Sequence, residues 1–546
     1  MSIKHLSFLL IASLFFSVSL QAQKNRGNTP PTPNIVVGII VENMRPDYIP
    51  RFWNKFQSDG FKRITEQGAV CSNTHIEQLI QSAPSGMATL YTGVYPSTHG
   101  IIDDGWYNRL KSKYVDCTTD DYFTTVGSDS REGNCSARGL LAETLGDKMK
   151  LFTKGKSKVF SIALNPSSAI LSAGHAANGA FWFDTQTGNM ISSSYYISAF
   201  PNWVRDFNMK KIPQSFFNND WNTLLLKSNY EESVADNYIL EKGFSGKWNT
   251  FPYDMGKLQK GAESMKVLKA TPFGNSLVRQ FAENLVEQEK LGAGQTPDLL
   301  TLVFSSMDYE NSSFGPSSVE MEDLYMRMDQ DIAGFLHFLD KKFGNGKYLF
   351  FLTSNVSSSY NQDYLKEDFR MPTGTFNPQS AVALLKSYLN ITYGQGEWIL
   401  DYSNQQIYLN QRLIEQRKIK LEEIQEKAAS FLNEFEGVKT VLPAFQVEYG
   451  LSAAGEMKYF QNSYRPNRSG DILLSLEQGW TPVNKYRKDN YTENNQVPLI
   501  WYGQNIKAGE IGKKLSIVNV VPTICRILSI PTPEFVEGEC IQEIIW

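Results

Sequence analysis

Residues Asn34-Ile-Val-Val-Gly-Ile-Ile-Val41 form a nearly unbroken run of β-branched side chains. A strand with one wet face alternates apolar and polar residues. A strand apolar at every position must be covered on both faces, as in a parallel sheet sandwiched between helices. The run is therefore read as a central strand. Comparable runs recur at Lys158–Leu164, Asp298–Phe304, Lys347–Thr353, Asp471–Leu474 and Val497–Tyr502. Between several of them lie segments of helical periodicity, the clearest being Ser317–Lys342, where Met321, Leu324, Met328, Ile332, Phe335 and Leu339 fall on one face. Strands alternating with helices predict an α/β fold: a doubly wound, mostly parallel central sheet flanked by helices. In such sheets ligands bind beyond the carboxyl ends of the strands, so candidate site residues are sought just after each run.

The 546 residues suit one large α/β domain, expected over 34–546, with inserted cap segments. The caps are expected at about 178–269 and 363–470, where the pattern is less regular and rich in Asn, Tyr and Trp. The N-terminus has the order of a secretory signal: Lys4, an apolar run from Leu6 to Leu20, then Leu20-Gln21-Ala22. Cleavage is expected after Ala22, leaving 23–33 as a flexible leader and placing the protein in the periplasm or outside the cell. No later segment reads as membrane-spanning. Loss of Lys4 moves the formal charge from −4 to −5, which offers nothing to nucleic acid. Export permits disulfides among Cys71, Cys117, Cys135, Cys525 and Cys540; the local pairings are Cys117 with Cys135 and Cys525 with Cys540.

Three strings carry a resemblance: Val37-Gly-Ile-Ile-Val-Glu-Asn-Met-Arg-Pro-Asp-Tyr48, Ser82-Ala-Pro-Ser-Gly-Met-Ala-Thr-Leu-Tyr-Thr-Gly93 and Pro96-Ser-Thr-His-Gly-Ile-Ile102. Ala173–Asp184, Phe314–Glu320 and Gln496–Gly503 extend it over nearly the whole mature chain. Together they resemble the alkaline phosphatase superfamily, in the branch of secreted PafA-type phosphomonoesterases with a threonine nucleophile. The resemblance implies the fold already deduced. It also implies a site with two zinc ions about 4 Å apart, which clamp the attacking and leaving oxygens of an in-line displacement.

Carried over residue by residue, the resemblance implies a site that has lost its chemistry. The aspartate ligand ending the first strand becomes Glu42. The nucleophile falls at or beside Ser82, which by itself reads as a helix cap, and a gapless count places it on Ala83. The asparagine that holds phosphoryl oxygens becomes Asp104, a carboxylate that repels phosphate. The Lys-x-Arg pair becomes Asn165 and Ser167, losing both charge-assisted donors. The Asp-x-x-x-His pair of one metal becomes Asp308 and Ser312, the Asp-His pair of the other Asn355 and Val356, and the last histidine Gln496.

A shifted alignment restores little, because the only histidines are His5, His75, His99, His175 and His337, and none follows His337. His99 and His175 lie in motifs that do not ligate metal in the family and read as structural histidines. No cofactor is expected, although Glu42 and Asp308, with Asp104, leave room for a single Ca²⁺ or Mg²⁺ ion. Tyr48, Trp106 and Tyr107 read as packing residues. The expected function is a catalytically degenerate, exported relative with a non-catalytic binding or scaffold role toward an unidentified ligand or protein. The alternatives are a weak or altered metal-dependent phosphoester hydrolase using Ser82, and a carbohydrate or glycolipid binder.

Overall fold

The computed structural model describes residues 31–546 except 245, 261–263, 306–313, 361, 368, 452–454 and 484–494. The expected signal and most of the leader lie outside the described residues. Of the leader's last residues, Pro31 accepts at its carbonyl from the Asn505 amide at 3.1 Å.

Every residue of the first strand, Ile35–Glu42, is buried. Its side chains divide by parity, as a pleat requires. Ile35, Val37, Ile39 and Val41 pack into one core with Leu300, Leu302, Phe350 and Leu352, whereas Val36 and Ile40 enter a second core with Leu299, Val303, Phe351 and Trp501. Each such side chain contributes about 1.5–3 kcal/mol on burial. Gly38 breaks the aliphatic run because a Cβ there would lie 2.5 Å from the Phe351 ring and 2.8 Å from the Tyr91 hydroxyl.

Among the described residues the main sheet has eleven strands. Its centre is parallel, in the order Leu349–Thr353, Ile35–Glu42, Asp298–Ser305, Val159–Ala163, Gly179–Phe183. Gln496–Gly503 adds an antiparallel strand outside Leu349–Thr353, followed by Ala69–His75. At the other edge Met190–Ser193 runs antiparallel to Gly179–Phe183. Helices Pro272–Gln288 and Val319–Phe343 belong to one core, and helices Ala83–Thr92 and Pro166–Ala173 to the other. This is the doubly wound architecture expected.

Three boundaries need correction. The expected first cap contains two strands of the main sheet, Gly179–Phe183 and Met190–Ser193, so the insertion proper follows Ser193. The run at Asp471–Leu474 is not a central strand: Ile472–Leu476 belongs to a separate four-stranded sheet with Ile399–Ser403, Gln406–Leu409 and Val438–Pro443. That sheet has its own apolar core, including Leu385, Trp398, Ile424 and Leu474. The second cap therefore extends past residue 470. The five cysteines are free thiols, without the two local bridges that export would permit.

Candidate functional site

The carboxyl edge of the parallel strands brings two of the expected residues, Glu42 and Asn355, into contact. Glu42 ends the first strand and is 3% exposed. Ser168, in the first turn of the Pro166–Ala173 helix, donates its hydroxyl to Glu42 Oε1. Asn355, fully buried just beyond Leu349–Thr353, donates its amide to the same oxygen at 3.4 Å and to the Ala83 carbonyl at 2.9 Å. Both neighbours are acceptors, which fixes the amide's orientation. Among the described residues Asn355 Oδ1 has no hydrogen-bond partner.

The loop after the first strand is held against the loop carrying Asn355. Met44 N–H donates to Ser354 Oγ at 3.2 Å, and Asn43, at φ 61°, bridges to Ser357. Gly86 admits the Ala83–Thr92 helix to the same place, since a Cβ there would lie 1.7 Å from the Asn355 carbonyl oxygen.

Ser82 occupies the N-cap of that helix. Its hydroxyl accepts from Ser85 N–H at 3.3 Å, and Ser85 Oγ accepts from Ser82 N–H at 3.3 Å, forming a reciprocal capping box. Ser82 is 1% exposed. Ala83, the gapless alternative, is the first helical residue, and its carbonyl binds Asn355. Asn165 is the N-cap of the Pro166–Ala173 helix but makes no side-chain capping bond; its Oδ1 accepts instead from Lys269 Nζ at 2.6 Å. Ser167 is half-buried on the same first turn.

The other described candidates have local partners. Asp104 precedes the Gly105–Asn108 hairpin strand, its own N–H bound to Asp103 Oδ1 at 2.8 Å and its carbonyl to Cys117 N–H at 2.8 Å. Val356 is buried, with Ser354 Oγ bonded to its carbonyl at 2.5 Å. Gln496 opens its strand opposite His75 and donates its amide to the Ser72 carbonyl at 2.8 Å. Asp308 and Ser312 lie outside the described residues.

The two histidines read as structural have structural partners. His99 is fully buried, accepts Ile101 N–H at Nδ1 (3.1 Å) and meets the Thr89 hydroxyl at Nε2 (2.9 Å); burial lowers its pKa to about 3. His175 pairs with Asp147 at 2.9 Å, which raises its pKa. His337 is exposed on the Val319–Phe343 helix. Tyr48 is buried beside Phe52 and Tyr325, Tyr107 beside Tyr408, and Trp106 lies under the Arg468 guanidinium at 4.3 Å.

Among the described residues the donor set does not fit two zinc ions. Zinc favours thiolate, imidazole and carboxylate ligands, but a hydroxyl and an amide already donate to Glu42 Oε1. Val356 offers no side-chain donor atom, and Asn355 turns its NH₂ toward Glu42 and Ala83. Among the described residues no group of three or more His, Cys, Asp or Glu is placed to hold a metal ion. The sequence reading misses Ser168 and Lys269. The Asn-Pro-Ser-Ser start of the helix puts Ser168 in the first turn and is the signal that points to it; Lys269, 104 residues beyond Asn165, has no local signal.

Residues 36–498 match the family described as type I phosphodiesterase / nucleotide pyrophosphatase. The chain belongs to that family. Within the phosphodiesterase family it is 34% identical over 546 residues to alkaline phosphatase PafA of Elizabethkingia meningoseptica, covering 98% of each chain. It is 32% identical to alkaline phosphatase PhoV of Synechococcus elongatus, again over 98% of each. The crystal structure of wild-type PafA superposes with a TM-score of 0.89, covering 94% of this chain and 99% of that one. Among the described residues of this family member no helix is long and apolar enough to cross a membrane.

Proposed function

We infer that the protein is an exported, catalytically degenerate member of the family, which retains the cleft for binding a ligand or protein partner and does not turn over phosphoesters. The observation that carries this reading is the polar contact at the end of the first strand, where neutral donors from Ser168 and Asn355 engage Glu42. Transition-state charge in phosphoryl transfer is met by metal ions and cationic donors, and the family's Lys-x-Arg positions are Asn165 and Ser167. Ser82 is engaged in helix capping.

A second reading, a weak or altered metal-dependent phosphoester hydrolase using Ser82, is favoured by the 34% identity to an alkaline phosphatase. Elemental analysis of protein purified in the presence of zinc separates the two. The proposed reading expects less than stoichiometric zinc and no stabilisation by it. Two equivalents of retained zinc would favour the hydrolase.

A further inference from the structure

Glu42 and Asn355 mark the carboxyl edge of the parallel strands. The opposite edge, roughly 23 Å away along the eight residues of Ile35–Glu42, is built from turns rich in lysine. There the helix Leu145–Phe152 buries Leu145 and Met149 and ends on an exposed apolar pair, Leu151 at 65% and Phe152 at 51% exposure. From Lys148 to Lys158 the chain has five lysines and no acid. The turn is fixed in shape. Thr153 Oγ donates to the Met149 carbonyl at 2.7 Å and accepts Ser157 N–H at 3.0 Å, while Gly155 N–H closes on the Lys150 carbonyl at 2.7 Å. Ser157 Oγ donates to the Pro297 carbonyl at 2.6 Å, which seats the turn beside residues 290–297, where Lys290 is exposed and no acid occurs. A Cβ on Gly292 would lie 2.6 Å from the Phe343 ring, so the next turn, with exposed Lys347, continues the same edge.

Several of these charges are already engaged. Lys148 meets Glu143 at 3.5 Å, Lys150 donates to Asn178 Oδ1 at 3.0 Å, Lys158 donates to the Glu289 carbonyl, and Lys342 pairs with Glu287 at 2.6 Å. The acids here are engaged too: Glu289 accepts the Trp203 indole N–H at 2.8 Å, and buried Asp298 accepts Lys158 N–H and Gly292 N–H. Among the described residues Lys154, Lys156, Lys290 and Lys347 are exposed and pair with no carboxylate. The chain as a whole is acidic, with a formal charge of −4, so this positive edge is a local excess.

Lysines alone suit any polyanion. Leu151 and Phe152 narrow the choice, because an apolar pair flanked by lysines gains by entering the headgroup region of a bilayer while the ammonium groups meet anionic lipid. We propose that the amino edge of the sheet is a docking surface for an anionic phospholipid bilayer, with Leu151 and Phe152 inserted at the interface and Lys154, Lys156, Lys290 and Lys347 facing the lipid charges. Docked this way, the protein turns its carboxyl-edge cleft away from the membrane. The inference goes beyond the reading of the cleft and holds whether or not the cleft is catalytic.

The test is flotation of the full-length mature protein with vesicles of phosphatidylcholine alone and of equimolar phosphatidylcholine and phosphatidylglycerol. Two double variants accompany it, Lys154→Glu with Lys156→Glu and Leu151→Ser with Phe152→Ser. All four side chains are exposed, so the variants are expected to melt with the parent. The parent should float with the anionic vesicles and not with phosphatidylcholine alone, and added salt should release it as the surface charge is screened. Each double variant should lower the partition coefficient roughly tenfold or more. Absent flotation with the anionic vesicles overturns the inference. Binding unchanged by the lysine variant overturns it as well, since this edge would then not be the contact. Binding unchanged by the Leu151 and Phe152 variant overturns the bilayer assignment, because the attraction would then be diffuse charge that a soluble polyanion satisfies equally.

Discussion

Ser168 donates its hydroxyl to the carboxylate of Glu42, joining the first turn of the Pro166–Ala173 helix to the end of the central strand. A buried carboxylate has to be satisfied by donors or a cation, and here side-chain hydroxyl and amide groups take part in that task.

Ser168→Ala removes one donor from a carboxylate that is 3% exposed. Leaving a buried acceptor short of a partner costs about 1–3 kcal/mol, toward the upper end for a charged group. Chemical denaturation of Ser168→Ala, Glu42→Gln and the double variant is expected to show that the two effects do not add, because the pair is in direct contact. Additive losses would mean that the bond contributes nothing.

The approach of the Ala83–Thr92 helix to Asn355 depends on Gly86. A methyl group 1.7 Å from the Asn355 carbonyl oxygen cannot be accommodated without moving backbone. Gly86→Ala is expected to lose more than about 2 kcal/mol in urea unfolding, despite alanine's better helix propensity. A neutral or stabilising outcome would contradict the helix placement.

A second buried acid group predicts a pH dependence unrelated to the candidate site. Glu320 is fully buried at the start of the Val319–Phe343 helix, accepting the Tyr253 hydroxyl, and among the described residues its Oε2 has no hydrogen-bond partner. Burial, with Asp236 and Asp323 nearby, pushes its pKa up to about 8. Burial and the proximity of Glu320 and Asp236 raise Glu241 to about 9. A raised acid binds more protons folded than unfolded, so its contribution is complete below the unfolded value near 4.3 and is lost as pH climbs to the folded value. Stability is therefore expected to decline between about pH 5 and pH 9. Glu320→Gln should flatten that decline, and denaturant midpoints across the range would show an unchanged slope if the assignment is wrong.

The strands of the parallel centre are legible in the sequence because full burial on both faces leaves a continuous apolar run, as in Ile35–Val41. The same signal misplaces Asp471–Leu474: a run buried in the four-stranded sheet looks identical to one in the main sheet, and pairing partners are non-local. Gly179–Phe183 and Met190–Ser193 read as part of an insertion because short strands near a sheet edge carry little periodicity. At the site, the structure brings Glu42 and Asn355 together at one strand edge. Contacts from the insertion cannot be read in this way. The Lys269–Asn165 hydrogen bond arises only when the insertion folds back over the sheet.

Metal addition and removal should leave stability unchanged. A specific zinc site occupied at about a hundredfold excess over its dissociation constant would add roughly 2.7 kcal/mol. Thermal scans with EDTA and with added zinc are expected to coincide. An upward shift with zinc that disappears in Glu42→Ala would show that the donors rearrange to accept the ion.

The central claim is loss of catalysis, and steady-state hydrolysis of 4-nitrophenyl phosphate by the mature protein, with and without added zinc, tests it most directly. On the proposed reading no metal ion stabilises the transferred phosphoryl group, so the rate should stay at background, and Ser82→Ala should not change it. A zinc-dependent turnover of even about 1 s⁻¹, abolished by Ser82→Ala, would contradict the account.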